Sequence, residues 1–147
     1  MAAQALAFFS SCRKKEEAVL VDTTAAKYNV GEKWNFRSRP GEDEATLTVV
    51  KVETTAKIGT IIHVSIQGVR IKSPHAPTGF SDTIAHMPFS ESAIEKSVTR
   101  LVAKDVPLPK FEEGYREWRA AFEDGKGGVF SITVGEGIDF VETALNR

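Results

Sequence analysis

Polar and apolar positions alternate over much of the first half of the chain. Trp34 and Phe36 alternate with Lys33, Asn35 and Arg37, the period of a strand with one buried face, and Pro40-Gly41-Glu42-Asp43 follows as a turn. A second arm, Ala45 to Val52, is rich in β-branched residues, and a third strand is expected from Thr60 to Lys72 after Gly59. In that third segment Ile62, Val64 and Ile66 share a face, whereas Val69 and Ile71 fall out of phase beyond Gly68. A bulge or bend at Gly68 would absorb the slip. Pro74, Pro77 and Gly79 mark a loop, and a short apolar stretch, Ile84 to Met87, supplies a fourth strand of a meander.

The period then changes from two to three and four. Ser90 can cap a helix, Glu91 suits its positive end, and Phe89 can staple onto Ile94. Ile94, Val98, Leu101 and Val102 line one face of that helix, and Pro107 and Pro109 end it. Phe111, Tyr115, Trp118 and Phe122 predict a second helix with an aromatic core-facing stripe, closed by Gly125, Gly127 and Gly128. Val129 to Val134 alternates as a strand, and Ile138, Val141 and Leu145 suggest a closing helix. The expected fold is α+β: a curled antiparallel sheet of about five strands in β-β-β-β-α-α-β-α order, packed against two or three helices.

Length and composition fit one soluble domain. The chain has 147 residues, 41% apolar and 27% charged, enough to bury about two-thirds of its unfolded surface in a single core. The 19 basic and 20 acidic residues nearly cancel and are interspersed, so the basic stripe that nucleic-acid binding requires is missing. One cysteine excludes an intrachain disulfide and a cysteine-built zinc site.

Residues 1–24 are expected to lie outside the domain and residues 25–147 to form it. Ala5, Leu6, Ala7, Phe8 and Phe9 precede Ser10, Ser11 and Cys12, and this stretch resembles the end of a bacterial lipoprotein signal. The resemblance implies lipidation at Cys12, a polar tether after it, and a place in the cell envelope facing the periplasm. The alternative is a disordered or amphipathic terminus, a plain thiol at Cys12, and a cytoplasmic protein. No apolar run approaches the ~20 residues that span a bilayer, so membrane contact would come only through that lipid.

The chemistry-bearing residues are sparse. His63 lies on the strand face opposite Ile62 and Val64, His75 in the Pro-rich loop, and His86 at the end of a short strand, with no partner at metal-ligand spacing. No nucleophile elbow and no phosphate-binding loop is present. Arg37 and Arg39 beside the acidic turn would pair with Glu42 or Glu44, or face a partner, and Tyr115 and Trp118 would be interface anchors if exposed. The sequence therefore points to a non-enzymatic bacterial domain that binds a protein or a small molecule, without metal or cofactor. A small hydrolase using His63 or His86 with a carboxylate such as Asp82 or Glu91 is the alternative.

Overall fold

The computed structural model describes residues 19–24 and 26–147. Six antiparallel strands form one open sheet: β1 (Val21–Asp22), β2 (Lys33–Phe36), β3 (Thr46–Thr55), β4 (Gly59–Lys72), β5 (Phe80–Ser90) and β6 (Val98–Ala103). Among the described residues three helices accompany it, α1 (Glu91–Ser97), α2 (Glu112–Glu123) and α3 (Val134–Leu145). The sheet runs β5-β4-β3-β2-β6, with β1 beside the far end of β3. Val21 and Asp22, within the segment expected to be a tether, thus pair with Thr54 and Glu53. Cys12 and the signal-like stretch lie outside the described residues.

Period-two side chains divide the sheet into two faces. Leu47, Val49 and Val52 of β3, Ile62, Val64, Ile66, Val69 and Ile71 of β4, and Met87 and Phe89 of β5 share one apolar cluster with Ala93 and Ile94 of α1 and Val134 and Ile138 of α3. Both phases of β4 reach that cluster because of Gly68. Its φ of +78° is a left-handed conformation, and a Cβ there would come within 2.8 Å of the Glu44 carbonyl oxygen. A similar slip between Val49 and Lys51 lets Val52 face the core while Lys51 and Glu53 face the other way. No residue of α2 belongs to this cluster among the described residues. That helix lies on the opposite, polar face.

Two elements differ from expectation. Ser90 does cap α1, its Oγ accepting the Ala93 N–H at 3.2 Å, but the helix stops at Ser97 and Val98–Ala103 is strand β6. Its Val, Thr and Leu positions zip onto the free edge of β2, with Phe36 opposite Val98 and Trp34 opposite Leu101. Ladder pairing with β2 outweighs the helical spacing of Val98, Leu101 and Val102. The expected strand at Val129–Val134 reduces to one bridge between Phe89 and Phe130. There the chain turns into α3, because Thr133 and Glu136 form a reciprocal capping box that makes Val134 the first helical residue.

Candidate polar site beneath helix α2

Gly114 lets α2 lie close on the sheet: a Cβ at that position would stand 3.1 Å from the His86 Cβ. The helix therefore presents Tyr115, Trp118 and Phe122 to the polar face. The Trp118 ring lies 4.9 Å from that of His63 and stacks on Phe122, while Tyr115 meets His63 edge-on at 5.1 Å.

Beneath these rings the two histidines meet. His63 faces Pro88 in the β4–β5 ladder, and an irregularity between Val64 and Ile66 brings His86 alongside. His63 Nδ1 and His86 Nε2 are 2.8 Å apart, a hydrogen bond that holds one proton between two nitrogens. On the other side of His63, Nε2 lies 3.8 Å from Oε1 of Glu53, beyond hydrogen-bond reach. Glu53 is 1% exposed and His63 fully buried. The Tyr115 hydroxyl donates to Glu53 Oε1, and Lys51 Nζ lies 3.8 Å from the same oxygen and 2.9 Å from Asp22. Among the described residues, Glu53 Oε2 and His63 Nε2 have no hydrogen-bond partner.

Burial sets the protonation of this group. Loss of water pushes His63 down to about 3, reinforced by His86 and the Lys51 ammonium, and pushes His86 down to about 4. Desolvation raises Glu53 above the ordinary carboxylate range, against the Tyr115 hydroxyl and Lys51. Tyr115 is raised by burial and by the carboxylate it faces. Near pH 7 both imidazoles are neutral. With Glu53 ionised, the favoured tautomers place N–H on His63 Nε2 toward the carboxylate and on His86 Nε2 toward His63. That arrangement leaves His86 Nδ1 as an acceptor at the outer end of a Glu53–His63–His86 chain.

The other residues singled out in the sequence lie elsewhere. The carboxylate brought to the histidines is Glu53, not Asp82 or Glu91: Asp82 is exposed near the β4–β5 turn, and Glu91 accepts the Lys27 backbone N–H at 3.3 Å. Arg39 faces inward. It forks onto Glu42 at 2.8 and 2.7 Å, reaches Asp139 and Glu142 at 3.1 Å, and donates to the Arg70 carbonyl. It thereby pins α3 to the β2–β3 turn, and the Glu44 pairing is not used. Arg37 donates to the Lys96 carbonyl. Tyr115 is buried, and half-buried Trp118 donates to the Gly128 carbonyl at 2.8 Å. His75 stays on its exposed loop. No group of three or more metal-ligating side chains comes together among the described residues.

No family model, curated protein or solved structure matches the chain.

Proposed function

We propose that the chain is a non-enzymatic binding domain for a protein or a small-molecule ligand, tethered to the envelope if Cys12 carries lipid. One observation supports this reading above others: His63 and Glu53 are buried beneath α2, with His63 Nδ1 bonded to half-buried His86 and Glu53 Oε1 to the Tyr115 hydroxyl. In that position they hold a helix down instead of meeting a substrate. A second reading, a small hydrolase, is favoured by the Glu53–His63–His86 chain, which has the form of a base backed by an orienting partner.

Turnover separates the two. Wild type and His86→Ala are assayed between pH 5.5 and 8.5 with chromogenic carboxylate and phosphate esters, and thermal-shift titrations run in parallel with metabolite and peptide libraries. The binding reading expects background rates in both proteins and a ligand that raises the melting temperature of both. Saturable turnover lost in His86→Ala would replace it with the hydrolase. Mass spectrometry of the mature amino terminus, after expression with the native upstream region, tests the tether: an unmodified Cys12 ends that part of the proposal.

A further inference from the structure

We propose that helix α2 is an acid-released cover, held on the sheet by the neutral His63–His86 pair and lifted from it when protons bind that pair. The inference does not depend on what the domain binds.

Geometry limits the protons the docked state can hold. At 2.8 Å the contact between His63 Nδ1 and His86 Nε2 has room for one hydrogen, so the two imidazoles cannot both be cationic while they face each other. At most one imidazolium forms in the docked state, on His86 through its outer Nδ1 or on His63 against the Glu53 carboxylate. With Glu53 ionised, the docked cluster therefore holds one proton fewer than the same groups in water at pH 5, where both imidazoles are charged and the carboxylate is largely ionised.

The sign follows from linkage. The released state binds the extra proton, so docking is strongest above the ordinary imidazole pKa near 6.5 and weakens as pH falls below it, by about tenfold per pH unit. The raised carboxylate of Glu53 opposes this, because a proton retained there favours the docked state, so the slope is steepest where Glu53 is ionised. Among the described residues, the other charges near the cluster are Lys51 of β3, held by Asp22 of β1, and Arg119 of α2, held by Glu123. Lys51 stands against a further positive charge on His63.

Release can be local. The helix shares no residue with the main apolar cluster among the described residues. Its ends are set by Pro107 and Pro109 on one side and by Gly125, Gly127 and Gly128 on the other, with Gly125 at φ +75°. Lifting α2 bares an aromatic stripe and a polar sheet face while the core between the sheet, α1 and α3 stays closed.

Amide hydrogen exchange of the full chain between pH 7.5 and 5, expressed as protection factors, tests the proposal. The expected result is α2 protection that falls about tenfold per pH unit below 6.5, while β3, β4 and α3 keep theirs. In His86→Phe and in His86→Gln, which keeps a polar side chain, the slope should flatten. Any of three results would overturn the proposal: α2 already unprotected at pH 7.5, sheet and helix losing protection in step, or the same slope in wild type and both variants.

Discussion

At the scale of single residues, the least ordinary feature is Glu53, a carboxylate with one oxygen satisfied by Tyr115 and the other by no group among the described residues. A buried polar group that loses its hydrogen-bond donor costs about 1–3 kcal/mol, and a charged one more. Tyr115→Phe is therefore expected to lower stability by about that amount or more in urea unfolding at pH 8. The loss should shrink at pH 5.5, because the substitution raises Glu53 further and a proton taken from solvent then neutralises it. Equal losses at the two pH values would show that the carboxylate is already protonated throughout. Sequence made part of this site legible. His63 opposite Ile62 and Val64 marks a polar strand face, and the aromatic spacing of Tyr115, Trp118 and Phe122 marks the helix that covers it. Two other parts were hidden. His86 joins His63 only through a ladder irregularity, and Glu53 lies one residue past the point where the apolar run of β3 suggests an end.

Elements show the same contest between local pattern and tertiary opportunity. Val98, Leu101 and Val102 fit a helix by spacing, yet the exposed edge of β2 draws them into β6. Phe130, Ile132 and Val134 fit a strand, yet Thr133 and Glu136 carry the box that starts α3. In both places the signal for the observed element is local, a β-branched pair or a capping box, but its weight depends on a neighbour that sequence does not position. Helix α2 was legible because nothing competes for it, and its seat depends on Gly114. Gly114→Ala should be near neutral, since the roughly 1 kcal/mol gained in helix propensity offsets a 3.1 Å contact with His86. Gly114→Val adds methyl groups with no room and should weaken docking by about 1–3 kcal/mol. The expected record is loss of near-ultraviolet aromatic signal with the strand signal of the far ultraviolet retained. If both signals are lost together at one denaturant concentration, α2 is an integral part of the core.

Across the whole molecule the two faces of the sheet are fastened by groups that respond to different pH windows. The α2 face rests on histidines held neutral, whose contribution is present above about pH 6.5 and lost below it. The α3 face is anchored by Arg39. Burial alone would raise Glu42, but its bonds with Arg39 and the Arg70 N–H outweigh this and hold the carboxyl below its usual range. A carboxylate with a lowered pKa stabilises the fold above its unfolded value near 4.3, and that stabilisation disappears only as pH falls further. Acid should therefore act in sequence, loosening α2 between about pH 6.5 and 4.5 and the α3 anchor below that. Residue-resolved exchange or side-chain NMR across pH 7.5 to 3.5 would show two separate transitions. Arg39→Met, which leaves Glu42 buried without its cation, should move the lower transition upward by at least one pH unit, as expected for about 1.4 kcal/mol or more of lost pairing, and leave the upper one in place. A single cooperative transition in the wild type, or a shift of both by Arg39→Met, would mean that the two faces are energetically one body and that α2 cannot be released alone.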